Sequence, residues 1–300
     1  MPMVTNDTSI YRAWCSEENC PVYLQPWYLD AVCSAGQWRP YMLMQGQQTV
    51  AIWVCNIGQK AGIRYSLTPE LSPYHGLHVF NAAYSPSDIA ELESAVVADF
   101  HYIEQDLPPH GPTLAGDQKS TFIIHQSHTV EEAWAKMKSD YRRKIKKASQ
   151  RQVLVELDFP HFREILEDSF AAKAQKMPFN LQLFEGLDNI CGKHNSRKIL
   201  GLQDENKSIV AAAYFLYDRH TTYYMGGGHV GGTNPMYKLL WEGIKDSLEH
   251  RRAFDFEGSM IPGIAQFFRG FGGEQTDYIA YRHSSGIWVN TLVSLKKRLG

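Results

Sequence analysis

The hydrophobic and polar positions from residue 197 to 282 form blocks that predict strands followed by a helix. Apolar runs of strand length occur at Ile199–Gln203, Ile209–Tyr217 and Thr221–Met225. The polar connections between these runs are short, and loops of that length join only antiparallel neighbours. The pattern therefore predicts a three-stranded antiparallel meander in this part of the chain.

A glycine-rich turn and an amphipathic helix are predicted directly after the meander. The glycines extend from Gly226 to Gly232, and Asn234 and Pro235 suit a helix N-cap and the first helical position. The helix is predicted from apolar residues at three- and four-residue spacing: Met236, Leu239, Leu240, Ile244 and Leu248. Because a helix N-terminus has free N–H groups and a positive dipole end, we predict a phosphate-binding site at this turn.

Two other interpretations of these glycines stay open at this stage. Gly226, Gly228 and Gly231 satisfy the G-x-G-x-x-G pattern of dinucleotide-binding folds, and acidic residues follow roughly twenty positions later. That pattern belongs to the first strand and helix of a parallel unit, whereas the strand before Gly226 is predicted to end an antiparallel meander. The glycines are also compatible with a turn that has only a structural role.

The first part of the chain contains a comparable succession of predicted elements. They are a strand at Ile10–Trp14, a helix at Gln25–Cys33, a hairpin at Trp38–Asn56, a strand at Ile63–Leu67 and an amphipathic helix at Ser87–Asp106. A strand at Thr121–His125 and a long helix opened by Thr129 follow. We place the domain boundary near Ser127, which predicts domains of residues 1–127 and 128–300.

Three segments of the second part resemble a known family. They are Tyr141–Ala148 (YRRKIKKA), Phe254–Ile264 (FDFEGSMIPGI) and Phe267–Gly273 (FFRGFGG). With the order of elements, they resemble the FemAB-like branch of the GNAT (acyl-CoA N-acyltransferase) superfamily, most closely from residue 129 to 282. The resemblance implies an α+β fold of two tandem GNAT-like domains, each a mixed, mostly antiparallel sheet flanked by helices.

The same resemblance implies an N-acyltransferase or aminoacyltransferase. Its donor would be acyl-CoA or aminoacyl-tRNA, and its acceptor an amine, for example on a cell-wall or polysaccharide precursor. The donor is expected at the predicted phosphate site, on Gly231, Gly232, Asn234, Tyr237 and Lys238. The alternative functions are a non-catalytic binding module of the same fold and, from the glycine pattern, a dinucleotide-binding oxidoreductase.

Amine acyl transfer needs a base for the amine, and Asp255 and Glu257 are the candidates. They alternate with Phe254 and Phe256 in a predicted strand, so both carboxylates face the cleft if the phenylalanines are in the core. A buried pair of carboxylates raises the pKa of one of them, as a base requires. The alternative is a structural ion-pair network with Arg251, Arg252 or Arg269.

One residue departs from the family pattern. Fem ligases directed at peptidoglycan usually carry a lysine in the segment before the last strand, and the corresponding residue here is Phe268. The departure argues against aminoacyl-tRNA-dependent peptidoglycan bridging and favours a broader N-acyltransferase. The neighbouring Arg269 remains a candidate substrate-binding residue.

The predicted long helix carries the one strong concentration of charge. Residues 136–151 contain eight basic side chains and one acid, Asp140, whereas the formal net charge of the chain is -2. The basic face is either simply solvated or binds an anionic substrate, such as a phosphorylated precursor or the backbone of tRNA. Because the resemblance places this segment beside a substrate channel, Arg142, Arg143 and Lys146 are candidate phosphate contacts.

A loop with two prolines and a glycine, Thr68–Gly76, is a further candidate substrate site. Loops of this kind often carry function, and the resemblance implies that Tyr74 and His75 contact substrate. The alternative is a rigid surface turn. A zinc site built on His75 and His78 is not predicted, because no third or fourth ligand occurs at a useful spacing.

Composition places the chain among soluble globular proteins. It has 300 residues, of which 44% are hydrophobic and 21% charged. No apolar run approaches the ~18 residues of a membrane helix, and the first eight residues do not resemble a signal peptide. The five cysteines contain no C-x-x-C pair, which favours reduced thiols. We therefore expect a cytoplasmic protein without a membrane span or a metal cofactor.

Overall fold

The computed structural model describes residues 2–17, 20–33, 36–80, 84–109, 111–112, 114–258 and 260–286. The chain divides into two compact units. Unit 1 is formed by residues 1–119 and 277–300, and unit 2 by residues 120–276.

Unit 1 contains two groups of paired strands. Its elements are β1 (Pro2–Thr5), α1 (Thr8–Glu17), a 3-10 turn (Val22–Leu24), α2 (Pro26–Val32), β2 (Trp38–Gln45), β3 (Gln48–Asn56), β4 (Gly58–Lys60), β5 (Ile63–Leu67), β6 (Leu77–Val79), α3 (Pro86–Asp99) and β7 (Tyr102–Asp106). An antiparallel sheet has the order β1-β2-β3-β6. In the second group, β4 pairs with β5, β5 runs parallel to β7, and β7 pairs with the strand Glu274–Ser284.

The core of unit 1 lies where α3 contacts β2 and β3. Ile89, Leu92 and Val96 of α3 are buried in one cluster with Trp53 of β3. A capping box starts α3: Ser85 Oγ accepts the N–H of Asp88 at 3.2 Å, and the Asp88 carboxylate accepts the N–H of Ser85 at 2.8 Å. The helix therefore begins at a fixed residue and directs its apolar side onto the sheet.

Unit 2 contains a sheet with helices that the sequence largely predicts. Its elements are the second part of β8 (Gly116–Ile124), α4 (Val130–Lys136), α5 (Ser139–Ser149), β9 (Val153–Glu156), α6 (Phe159–Ala171), α7 (Leu181–Lys193), β10 (Arg197–Gln203), β11 (Ile209–Tyr217), β12 (Thr221–His229), α8 (Pro235–Glu249), β13 (Ala253–Asp255), α9 (Pro262–Arg269) and the first three residues of β14 (Glu274–Ser284). The strands follow the order β8-β13-β12-β11-β10-β9. All neighbours in this series are antiparallel except β12 and β13, which are parallel.

The core of unit 2 is rich in aromatic side chains. Phe254, Phe256, Phe268 and Phe271 are buried together with the apolar side of α8. Gly243 of α8 allows close contact with β11, because a Cβ at this position would lie 2.4 Å from the Phe215 ring. The predicted fold class, α+β with mostly antiparallel sheets and flanking helices, is confirmed.

Three predicted elements are wrong. Residues 10–14 belong to helix α1 and not to a strand, because the Asp7 carboxylate accepts the Ser9 N–H at 2.7 Å and starts a helix there. The predicted helix Ser87–Asp106 ends at Asp99, since Tyr102–Asp106 pairs as β7. The predicted long helix from Thr129 is two helices: Met137 is extended, and the Lys138 N–H donates to the Gly270 carbonyl at 3.0 Å.

The two compact units divide the chain at different residues from the predicted domains. Residues 120–127 belong to unit 2, and the end of the described chain from Asp277 belongs to unit 1. The physical reason for the second difference is the pairing of β14 with β7, from Ala280 opposite Asp106 to Ser284 opposite Tyr102. The boundary near Ser127 stays a prediction for domains that fold independently.

Two further findings concern the described residues only. In this part of the chain, no helix combines the length and the apolarity that a membrane span needs. In the same residues, no group of three or more His, Cys, Asp or Glu side chains could hold a metal ion. The five cysteines are buried free thiols.

Burial of His75 in unit 1 predicts an acid-sensitive fold. Its side chain is 1% exposed, and neither ring nitrogen has a hydrogen-bond partner among the described residues. Burial, with a smaller effect of His78, lowers the pKa of His75 from 6.5 to about 3. Between these values the unfolded chain binds a proton that the folded chain does not, so stability must decrease as the pH falls through this window.

We expect the free energy of unfolding to decrease by up to about 1.4 kcal/mol per pH unit through His75 alone. Urea unfolding from above pH 6.5 down to about pH 4.5 measures this slope. His75→Gln should flatten it, whereas the control His220→Gln, at an exposed position, should not. An unchanged slope in His75→Gln would contradict the assignment.

Candidate functional site

The candidate site of unit 2 lies where β12 and β13 separate. Their parallel pairing comprises Thr221 with Ala253, Thr222 with Phe254 and Tyr223 with Asp255. β12 then continues to His229, whereas the chain after β13 follows β8, because the Phe256 N–H donates to the Phe122 carbonyl at 3.1 Å. An opening between the two segments follows directly from this change of partner.

A β-bulge on β12 lies at the same level as the opening. Tyr224 is opposite Phe215 and Gly226 is opposite Tyr214, so Met225 is the extra residue. Gly226 has a φ of +153°, and a Cβ added there would meet no atom within 4 Å. The backbone of β12 therefore faces open space next to the bulge.

The glycine pattern does not form a dinucleotide-binding turn. Gly226, Gly227 and Gly228 are part of β12 and pair with β11 in antiparallel register. The predicted third strand Thr221–Met225 is therefore too short, and the predicted glycine turn begins only after His229. The Rossmann alternative is wrong, because its fingerprint requires a parallel unit in which the glycines form a loop.

Tyr224 lies on β12 directly before the bulge at Met225. Its ring is half-buried, and its centroid lies 6.0 Å from those of Phe268 and Phe215. Its hydroxyl is near the backbone of Gly227, because a Cβ on that residue would lie 3.0 Å from the oxygen. Burial, followed by the charge of Glu257, raises the pKa of Tyr224. Tyr224 was not singled out from the sequence.

The two predicted carboxylates lie next to the opening, but in different environments. Asp255 is 2% exposed, and its Oδ1 accepts the Thr121 hydroxyl at 2.6 Å and the Glu257 N–H at 2.7 Å. Glu257 is half-buried and has a φ of +59°. A left-handed backbone is strained for a residue other than glycine, and such strain often occurs at functional sites. The alternation of side-chain directions along β13 therefore does not extend to Glu257.

The predicted donor loop precedes α8. Asn234 has left-handed φ and ψ of 53° and 43°, and its side chain makes no capping hydrogen bond. Gly232 has a φ of +80°, and a Cβ there would lie 2.6 Å from Gln152 Nε2, whereas a Cβ on Gly231 would meet nothing within 4 Å. The Asn234 side chain thus does not cap the N-terminus of α8.

The other two predicted donor residues make internal contacts. Lys238 is 6% exposed, and its Nζ donates to the Gln152 carbonyl at 2.7 Å. The Tyr237 hydroxyl accepts a hydrogen bond from Lys144 at 2.9 Å, and its ring lies 4.7 Å from that of Tyr141. Both side chains hold the start of α8 against α5 and the residues that follow it, which positions the loop.

Lys173 and His229 are basic side chains near this loop that the sequence did not single out as donor contacts. Lys173 Nζ lies 3.3 Å from Ser169 Oγ, which also accepts the His229 N–H at 3.2 Å. Gly228 permits this approach, since a Cβ there would lie 2.7 Å from the Ser169 Cβ. Burial and then the charge of Lys173 lower the pKa of His229. Neither residue belongs to a recognisable motif.

The candidate phosphate contacts on α5 differ in their partners. Arg142 Nη1 donates to the carbonyls of Trp134, Ala135 and Met137 at 3.0, 2.7 and 2.7 Å. Arg143 forms an ion pair with Asp140 at 2.5 Å and has an 81% exposed side chain. Lys146 is exposed. The Arg142 guanidinium is thus bound to carbonyls at the end of α4, whereas Arg143 and Lys146 face solvent.

The remaining predicted site residues are divided between the two units. In unit 2, Phe268 is stacked on Phe256 with centroids 4.9 Å apart, and Arg269 donates to Gln275 at 2.8 Å. In unit 1, Tyr74 is 3% exposed and lies edge-on to Tyr278, and His75 is buried beside it. Substrate contacts by Tyr74, His75 and Arg269 stay predictions.

Comparisons with known proteins identify the fold. No protein-family model matches the sequence, and no curated protein matches it significantly. Among solved structures, FemX is similar over 98% of this chain and 99% of its own, with a TM-score of 0.71 and 11% identity. L-PGS from Bacillus licheniformis is similar over 97% and 96%, with a TM-score of 0.55 and 12% identity.

A third similar structure is the C-terminal domain of a candidate lysylphosphatidylglycerol synthetase from Agrobacterium fabrum. The similarity extends over 97% of this chain and 94% of that domain, with a TM-score of 0.51 and 9% identity. At sequence identities this low, the similarity concerns the fold alone. The predicted resemblance to the FemAB-like branch of the GNAT superfamily is thereby confirmed as a likeness of fold.

The contacts of Arg142 predict a structural effect that Lys146 lacks. Arg142→Gln removes hydrogen bonds to three carbonyls at the end of α4, so we expect a loss of about 1.5–3 kcal/mol in the free energy of unfolding. The matched variant Lys146→Gln should change it by less than about 0.5 kcal/mol. Urea unfolding of both variants checks this, and equal stability of the two would refute the capping role.

Proposed function

We propose that the protein transfers an acyl or aminoacyl group from acyl-CoA or aminoacyl-tRNA to an amine. The observation that supports this most is the opening between β12 and the segment after β13, with a bulge at Met225 and the start of α8 close by. Acyl transfer needs a slot for the donor, hydrogen-bond donors for its carbonyl and a base for the amine. Each of these has a candidate at the opening.

The donor is proposed to bind with its phosphates at the loop before α8. Gly231, Gly232 and Asn234 present backbone next to a helix N-terminus, where the dipole favours negative charge. Lys173 adds a cation beside the loop, and His229, whose lowered pKa keeps the ring neutral near pH 7, adds a group that can form hydrogen bonds. Tyr237 and Lys238 support the loop from inside, because their polar atoms bond to Lys144 and Gln152.

The donor carbonyl is proposed to lie along β12 after the bulge. Its proposed hydrogen-bond donors are backbone N–H groups of β12 from Gly226 onward, where β12 has lost β13 as a neighbour. Such preorganised donors stabilise the negative charge that develops on the oxygen in the transition state. The Tyr224 hydroxyl, on the same strand, is a candidate proton donor to the leaving group, since its raised pKa keeps it protonated.

Glu257 is proposed as the base that takes the proton of the amine. It is the more accessible of the two carboxylates, and its strained backbone fixes its position. Asp255 is proposed as a positioning residue, because its Oδ1 accepts the Glu257 N–H at 2.7 Å and the Thr121 hydroxyl at 2.6 Å. Loss of the Asp255 contact would release the left-handed turn at Glu257.

The acceptor is proposed to be an amine on a larger precursor, of cell-wall, polysaccharide or similar chemistry. The exposed Arg143 and Lys146 are compatible with an anionic acceptor or with the backbone of tRNA. Phe268 supports an acceptor different from that of the peptidoglycan ligases, because it is buried against Phe256 and offers no cation to a transferred carbonyl.

Substitution of the two carboxylates tests the mechanism. With acetyl-CoA or an aminoacyl-tRNA as donor and a panel of amines, Glu257→Gln should lower kcat by about 10²–10⁴-fold, the usual range for a general base. The control Glu274→Gln, which alters a side chain 71% exposed, should leave kcat unchanged. Full activity of Glu257→Gln would refute Glu257 as the base, whereas donor binding without any transfer by the unaltered protein would favour the non-catalytic binding module.

A pair of glycine variants tests the donor loop. Gly232→Ala forces a Cβ onto a left-handed residue and against Gln152, so we expect the Kd for the donor to rise about fivefold or more. Gly231→Ala adds a methyl group to open space and should have a smaller effect. Calorimetric titration with acetyl-CoA and with aminoacyl-tRNA measures both. Equal affinities of the two variants for each donor would contradict this location.

A further inference from the structure

An exposed apolar patch lies at the start of α9. Met260 and Ile261 are 64% and 61% exposed, and Ile264 is 39% exposed. Ile261 is the N-cap of α9 and makes no capping hydrogen bond with its side chain. Three neighbouring aliphatic side chains with this exposure are costly in water, so a partner that covers them is expected.

A series of aromatic contacts connects α9, which carries this patch, to basic side chains of α5. Phe267 follows Ile264 by one turn of α9, and its ring lies 5.0 Å from that of Tyr237. Lys144 Nζ lies 4.4 Å from the centre of the same Tyr237 ring. Lys147, one turn further along α5 on the side of Lys144, is exposed.

The positive charge of α5 is only partly neutralised within the described chain. Lys144 and Arg143 share the carboxylate of Asp140. Lys138, Lys146, Lys147 and Arg151, as far as the structure describes the chain, have no acidic group within ion-pair distance. An apolar patch beside uncompensated cations is complementary to a surface that is apolar inside and anionic outside.

We propose that the start of α9 and the exposed face of α5 form a docking surface for an anionic lipid bilayer. Met260, Ile261 and Ile264 enter the interface between headgroups and acyl chains, and the lysines of α5 contact the headgroups. A second copy of the chain fits less well. Stable protein interfaces bury about 800 Å² on each partner and exclude lysine from their cores, whereas this patch has three aliphatic side chains.

The location gives the docking surface a role in the reaction. Met260 lies three residues after Glu257 along the chain, so a bilayer bound at the patch lies close to the proposed base. An amine carried on a lipid headgroup or a lipid-linked precursor would then be presented to the site. This last step rests on the proposed function, whereas binding to the bilayer does not.

Vesicle flotation tests the proposal with the full-length protein. We expect binding to vesicles of phosphatidylcholine with phosphatidylglycerol, and much weaker binding to phosphatidylcholine alone. Ile261→Ser should lower the partition coefficient on the order of tenfold, as expected for one buried aliphatic side chain. Serine is favoured at an N-cap, so this variant is expected to keep α9 intact.

Two further variants complete the design. Lys147→Gln should lower the partition coefficient about fivefold, with a reduced dependence on salt. The control Val153→Ser changes a side chain that is 63% exposed on β9 and should bind like the unaltered protein. Thermal unfolding confirms that all three variants are folded.

Three outcomes would overturn the proposal. They are equal binding to neutral and anionic vesicles, unchanged binding of Ile261→Ser, and a dimer of the unaltered protein in light scattering that Ile261→Ser dissociates. Donor titration by calorimetry is carried out in parallel. Because it requires no vesicles, failure of the docking surface and failure of the proposed acyl transfer are distinguished.

Discussion

The hydrogen bond from the Phe256 N–H to the Phe122 carbonyl is the contact on which the candidate site depends. This hydrogen bond, 3.1 Å long, joins the chain after β13 to β8, while β12 stays paired with β11. Phe254 and Phe256 are fully buried in the aromatic core, so this choice of neighbour is supported by side-chain packing as well as by the backbone. The opening between β12 and Glu257 is thus a consequence of how the core is filled.

The loop before α8, the proposed donor site, is held in place by contacts on two sides. Lys238 and Gln152 fix it from the interior, and Gly232 allows the close approach. On the other side, Gly228 brings β12 against Ser169 of α6 and so places His229 and Lys173 near the loop. Gly228 and Gly232 therefore allow several polar groups to approach each other, although the glycines of this stretch do not form a nucleotide fingerprint.

The sequence predicts the strongly periodic elements and misses features that depend on distant contacts. The meander and α8 follow from apolar spacing, which reports directly on burial. The end of α3, the break before α5 and the extension of β12 over Gly226–His229 are decided by β7, Gly270 and β11, which no local pattern contains. For Arg142 and His75 the residue types suggested ligand contacts, and only the tertiary structure shows that His75 is buried and that Arg142 bonds to three carbonyls. Tyr224, Lys173 and His229 lie near the site without any motif.

The opening between β12 and the segment after β13 is the proposed donor site, and amide hydrogen exchange tests this most directly. The measurement compares peptides covering residues 223–236 and 255–258 in the free protein, with acetyl-CoA and with aminoacyl-tRNA. A donor bound as described should slow exchange in both peptides, because it covers the backbone on both sides of the opening. Unchanged exchange there, together with slower exchange elsewhere on addition of either donor, would contradict the account.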